Sequence, residues 1–226
     1  MSYMWQDFNI KTFPAETIVY RDGIFCPELS TLQSVIIDKK YDLPVHLIYI
    51  GEIAGENVLN VDLLAENQPV FISVKTINKN PAFLNIFIKN TGKNSEIRGQ
   101  FILKNESDLK FDVFAGHFSK NTGILLDTKI IGTKGSNSKI SGTAQINKNC
   151  ENCDSDLTFS AILDKDAKTT FSPKQKILSI PKNAKHGASI FETKDIQIQY
   201  LRESGLSGAE IENIMREAFV NNSPLF

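Results

Sequence analysis

Cysteine is scarce in this chain: Cys26, Cys150 and Cys153 are the three in 226 residues. They are too few and too unevenly spaced for the disulfide framework of a small secreted domain, which fits a reducing compartment. The first residues, Met1-Ser2-Tyr3-Met4-Trp5-Gln6-Asp7-Phe8, lack the basic and apolar regions of a secretory leader, and no later apolar run has the length that crosses a bilayer. A cytoplasmic location is therefore expected. Net charge is nearly missing as well: 25 Lys plus Arg stand against 26 Asp plus Glu, a formal charge of -1. No overall field draws such a chain to nucleic acid or to an acidic membrane. A phosphate loop is absent too, because Gly132-Thr133-Lys134-Gly135 lacks the Walker spacing and no helix is expected after it.

What is present is a long β pattern. Residues 1–16 have aromatics without a clear period and are expected to form an arm. Thr17-Ile18-Val19-Tyr20 and Ile24-Phe25 flank Asp22-Gly23, a strong signal for a two-residue hairpin. Further strands are expected at Ser34–Ile37 and Val45–Ile50. Beyond Val58, apolar runs recur at Pro69–Val74, Leu84–Ile88, Gly99–Leu103, Leu109–Phe114, Ile124–Leu126, Lys139–Gly142, Leu157–Ala161 and Lys176–Ile180. Many short strands at regular spacing fit either an antiparallel sandwich or a solenoid whose strands stack coil on coil. Apart from Asp22-Gly23 and Thr91-Gly92, the connections are long polar corners such as Gly132–Ser138, which favour the solenoid although no internal repeat is evident. The β core is expected to span 17–181 and a C-terminal segment 182–226.

After Pro181 the apolar period becomes helical. Ser207-Gly208-Ala209-Glu210 is a capping box, and Ile211, Ile214, Met215, Ala218 and Phe219 form an i, i+3, i+4, i+7, i+8 stripe. A shorter helix is expected before it, with Thr193 as N-cap, Ile196, Tyr200 and Leu201 on its apolar side, and Gly205 as the left-handed stop.

Few residues offer chemistry. Cys150-Glu151-Asn152-Cys153 has the spacing of half a zinc site or of a redox dithiol, and equally of two cysteines in a surface turn. The lysine-rich segment 165–185 reads as a solvated face, and His46 and His117 as structural. His186, beside Gly187 where the β pattern ends, is either a metal ligand or a structural histidine at a corner.

Ala184-Lys185-His186-Gly187-Ala188-Ser189-Ile190, Gln199–Ser207 and Ala209–Phe219 resemble the C-terminal signature of the SufB/SufD family, the scaffold subunits of Suf iron–sulfur cluster assembly. Upstream, Ile18–Ser30, Leu43–Tyr49, His117–Thr122 and Lys139–Gly142 are similar to looser family segments and lean toward SufD. The resemblance implies a right-handed parallel β-helix with a small C-terminal helical subdomain, and a scaffold that is not itself an enzyme. It implies two partners: a SufC-like ABC ATPase, docked at Tyr200, Leu201, Gly205, Leu206, Ile211, Met215 and Phe219, and a SufB-like subunit or a second copy of this chain. No tightly bound cofactor is implied, His186 matching a histidine that handles a transient cluster.

The chain departs from the family in three places. Ala184 stands where a cysteine is common, Ser204 precedes Gly205 in place of arginine, and the chain is short, without the usual N-terminal helical extension. The competing readings are a β-solenoid module for carbohydrate or surface interaction, and a metal-binding protein built on Cys150 and Cys153.

Overall fold

The computed structural model describes residues 16–30, 35–191 and 195–221. The expected arm before Glu16, Ser34 and the expected N-cap Thr193 lie outside them. Two parallel sheets face each other across one core, and the chain alternates between them. The first sheet contains β1 (Glu16–Arg21), β2 (Ile24–Phe25), β4 (Val45–Glu52), β6 (Pro69–Asn78), β8 (Glu96–Asn105), β10 (Gly123–Gly132), β12 (Asp154–Leu163) and β14 (Asn183–Phe191). The second contains β3 (Ile36–Ile37), β5 (Gly55–Leu63), β7 (Ala82–Asn90), β9 (Asp108–His117), β11 (Asn137–Ile146) and β13 (Lys168–Ile177). This is the expected parallel β-solenoid. It is followed by α1 (Asp195–Glu203) and α2 (Gly208–Asn221).

Strand formation follows the period-two burial of each segment. In β7, Ala82, Leu84, Ile86, Ile88 and Asn90 are buried while Phe83, Phe87 and Lys89 are exposed, so one face enters the core and the other meets water. Stacking then aligns like with like. Leu47, Ile72, Gly99, Leu126 and Leu157 occupy successive coils in one inward row, and each fully buried aliphatic side chain is worth about 1.5–3 kcal/mol. The expected Asp22-Gly23 hairpin is present: Tyr20 pairs Phe25 and Arg21 pairs Ile24 antiparallel, with positive φ at Asp22 (51°) and Gly23 (79°) as a type I′ turn requires. Thr91-Gly92, by contrast, belongs to a corner between the two sheets, where Thr91 N–H and Gly92 N–H both donate to Leu63 O.

The corners have their own ladder. Asn67, Asn94, Asn121 and Asn152 all hold left-handed φ of 55–59°. Asn94 Nδ2 donates to Asn67 Oδ1 (3.3 Å), Asn121 Nδ2 to Asn94 Oδ1 (2.9 Å) and Asn152 Nδ2 to Asn121 Oδ1 (2.9 Å). Asparagine tolerates this backbone region better than other residues with a Cβ, so one residue type both makes the corner and links it to the next. A second chain of amides is buried on the other side, where Asn78 Nδ2 donates to Asn105 Oδ1 (2.8 Å) and Asn105 Nδ2 to Ser138 Oγ (2.7 Å).

Two expectations about the last coil are corrected. The strand expected at Lys176–Ile180 is β13, at Lys168–Ile177, and the β ladder does not stop at Pro181 but runs on through β14 to Phe191. Both strands close the sheets, so their outward positions need no apolar residues, and Lys, Thr, Ser, Gly and Ala conceal the alternation. We predict that Asn121→Ala, which removes two ladder bonds and puts a Cβ-bearing residue without a compensating amide at φ 56°, lowers unfolding stability by about 1–3 kcal/mol in urea titrations. Asn121→Gly, which relieves the backbone but not the bonds, should lose less.

Candidate partner interface at the end of the solenoid

β14 lies in parallel register on β12, and its inward positions prolong the core rows. Ala184 pairs Ser155, His186 pairs Leu157, Ala188 pairs Phe159 and Ile190 pairs Ala161. His186 is thus the seventh member of the row that begins at Ile18 and passes through Leu47. It lies within a strand, not at the corner expected for it, because Gly187 and Ala188 are small enough to continue the ladder though poor in β propensity. No described strand stacks beyond β14 in the first sheet or β13 in the second. The rows therefore end in solvent: His186 is exposed, Ile190 is 50% exposed, and Ile180 in the preceding turn is 78% exposed. No residue of β13 is fully buried, and Phe171 covers only one ring, stacking on Phe159 at 5.9 Å.

Beneath Ala184 lies the cysteine corner. Cys150 and Cys153 are buried, not placed in a surface turn, and pack with Ile146 and Ala184. Asn149 and Asn152, both at positive φ, turn the thiols inward. Cys153 Sγ lies 3.2 Å from Thr122 Oγ1, which also lies 2.8 Å from His117 Nδ1 and 3.2 Å from the Ser119 carbonyl. The Cys153 carbonyl accepts the N–H groups of Lys182 (2.8 Å) and Asn183 (3.3 Å) and so fixes the start of β14. Burial pushes the Cys150 thiol up, with Cys153 adding to the shift, which keeps it protonated and poor as a nucleophile or ligand. Among the described residues no three His, Cys, Asp or Glu side chains converge to hold a metal ion. Among the described residues Cys150 and Cys153 thus have no third donor beside them, and both pack as buried side chains under β14.

The helices are fastened to the first sheet by apolar contacts at Ile211 and Phe219 and by two polar ones. Ile211 is 4% exposed, and a cleft of about 190 Å³ separates Ile162 and Leu163 of β12 from Ile198, Met215 and their neighbours on the helices. Arg216 donates to both oxygens of Asp164 at 2.7 Å and also pairs Glu212. Lys129 of β10 donates to the carbonyls of Phe219 (2.7 Å) and Val220 (3.0 Å), a cation at the negative end of α2. The Phe219 ring meets Phe191 at 5.4 Å. Burial lowers the Lys129 ammonium, with Asp127 opposing the shift. The expected capping box is formed: Glu210 N–H donates to Ser207 Oγ, and Ser207 N–H donates to Glu210 Oε2 at 2.8 Å. Gly205, at φ 88°, ends α1 in a Schellman motif, with Leu206 N–H on Leu201 O and Gly205 N–H on Arg202 O.

The seven residues assigned to a partner divide accordingly. Ile211, Met215 and Phe219 turn toward the β body, Leu201 and Leu206 are half-buried, and Tyr200 (69% exposed) and Gly205 face water. Ile214 and Ala218, counted in the apolar stripe, are exposed, because α2 lies on the sheet along the Ile211–Met215–Phe219 edge of that stripe. Lys129, Arg216 and Asp164 carried no sequence signal, since their bonds join residues 90 and 52 apart.

Residues 75–219 match the family described as SUF system FeS cluster assembly, SufBD core domain, which is well over half of the chain. The chain belongs to the SufB/SufD family. As a SufBD core, it takes part in Suf iron–sulfur cluster assembly. The matched span holds His186 and both helices, whereas Ile18–Ser30 and Leu43–Tyr49 lie before it. A search of curated proteins returned no match. No helix among the described residues is long and apolar enough to cross a membrane.

His117 supplies a pH prediction. Burial lowers its imidazole from 6.5 to about 4, so the folded state keeps it neutral where the unfolded chain protonates. Its stabilising effect is complete above pH 6.5 and is lost as pH falls toward 4, about 3 kcal/mol in all. His46, also lowered to about 4, acts in the same direction. We expect urea titrations to show falling stability across that window, and a shallower fall in His117→Gln.

Proposed function

We propose that this chain is a SufD-like scaffold subunit whose solenoid end pairs with a SufB- or SufD-like chain while α1 and α2 receive a SufC-type ABC ATPase. The observation that carries the reading is the uncovered last coil. A solenoid needs a polar cap or a neighbour at each terminus, and here β13 and β14 offer open backbone edges beside Ile180 and Ile190. A second chain adding strands there would bury those side chains and bring its own residues to His186. The cluster is cargo in this reading. His186 supplies one ligand, Ala184 none, and the pairing chain the rest, so the chain acts as a positioning scaffold and not as an enzyme. ATP hydrolysis belongs to the partner, and the movement reaches the solenoid through Lys129 and Arg216. Tyr200 and Ile214 stand on the outward side of the helices and are the contacts assigned to the ATPase.

Co-expression with a SufC-type ATPase and a SufB-like chain, followed by native mass measurement, tests this. The expected product is a complex containing all three. Tyr200→Asp combined with Ile214→Asp should release the ATPase but keep the scaffold pair, and Ile180→Asp combined with Ile190→Asp should do the reverse. A complex of unchanged mass in both variants would contradict the assignment.

A further inference from the structure

The outer face of the second sheet is unused by the proposed scaffold contacts. Most of the 15 Phe of this chain fit the apolar pattern of a core, yet Phe83 (47%), Phe87 (42%) and Phe118 (41%) are exposed. Parallel register brings them together. Phe87 of β7 lies beside Phe114 of β9, and the rings of Phe114 and Phe118 both lie over Gly116, where a Cβ would meet them at 2.7 and 2.5 Å. Lys110 Nζ sits 5.7 Å above the Phe83 ring. Phe87, Phe114 and Phe118 form one phenylalanine patch, and Phe83 stands one outward row away across Asn85 and Asp112, an arrangement of the kind that marks an interaction surface.

The charge on the same face is segregated. Lys110 on β9, Lys139 on β11, and Lys168, Lys174 and Lys176 on β13 are outward and exposed; the other charges of this face are Asp108 and Asp112 on β9, Lys89 on β7, and Glu56 and Asp62 at the far side on β5. Among the described residues none of the five lysines on β9, β11 and β13 forms an ion pair. A chain with net charge -1 thus gathers a basic block on one side of its apolar patch. The outward rows across the strands give the order: Phe83, Lys110, Lys139, Thr170 in one, Asn85, Asp112, Ser141, Ser172 in the next, and Phe87, Phe114, Thr143, Lys174 in the one after. With strands about 4.8 Å apart, rings pass to ammonium groups over roughly 15 Å along the solenoid axis.

We infer that this face binds a partner polypeptide whose docking segment carries an apolar stretch followed by an acidic stretch. Both halves are complementary to what the face presents, with apolar side chains over Phe83, Phe87 and Phe114 and carboxylates over Lys139 and Lys174. Single-stranded nucleic acid fits less well. It needs a ring and a cation within each nucleotide repeat, whereas here, apart from Lys89 and from Lys110 over Phe83, the rings lie on β7 and β9 and the lysines on β11 and β13.

The test uses fluorescence anisotropy on the full chain with three labelled probes. These are a synthetic peptide with a Leu/Phe half and a Glu half, a peptide of the same composition with the two residue classes alternated, and oligo-dT. The block peptide should bind at least about 10-fold tighter than the other two, and more weakly as salt rises. Phe83→Ser with Phe87→Ser, and independently Lys139→Glu with Lys174→Glu, should each weaken it about 10-fold or more, while Arg21→Glu on the other sheet should change it less than about 2-fold. All these positions are outward, and far-UV circular dichroism confirms that each variant folds. Equal binding of the block and alternated peptides, tighter binding of oligo-dT, or variants that bind as the parent does would overturn the inference.

Discussion

Parallel stacking in register is the constraint on which this molecule depends. Each coil leaves a row of apolar side chains that only the next coil can cover, so every strand serves as both a layer of core and a template for its successor. The corner asparagines repeat the same logic in amide bonds, each donating backward and accepting forward from a backbone conformation that few other residues adopt without strain. Stability of this kind adds up from neighbour to neighbour and has no closed boundary of its own.

The end of the stack is consequently where the proposed pairing would occur. His186 occupies a core row without a core around it, and Ala184 places packing over the buried cysteines where the family commonly has a thiol. The helices answer a different need. They cover the outside of β10 and β12, and their attachment through Arg216–Asp164 and Lys129 is largely polar.

Much of this was legible in the sequence, and the failures have definite causes. Interior strands such as β7 and β9 could be read because burial on one face imposes alternation on the residues. β13 and β14 could not, because an end strand has no second coil to demand apolar partners. The repeat was hidden by unequal corners: Asn67, Asn94 and Asn121 recur at 27 residues, but the Cys150–Cys153 corner lengthens the next step to 31. That asparagine spacing was the available signal. The capping box and Gly205 stop were plain because they are local, while the faces of α2 were set by Asp164 and Lys129, distant residues whose meeting depends on the fold. The exposed positions of Phe83, Phe87 and Phe118 were not legible, because an apolar residue in or beside an alternating strand does not declare which side it occupies.

The central claim, that the last coil is completed by another scaffold chain, is tested most directly by amide hydrogen exchange of β13 and β14 in the isolated chain and in the assembled scaffold pair. The account predicts rapid exchange of the outer-edge amides of β14 in the dilute isolated chain, and strong protection on pairing, with β6 to β10 unchanged. Equal exchange of β14 in both states would contradict it.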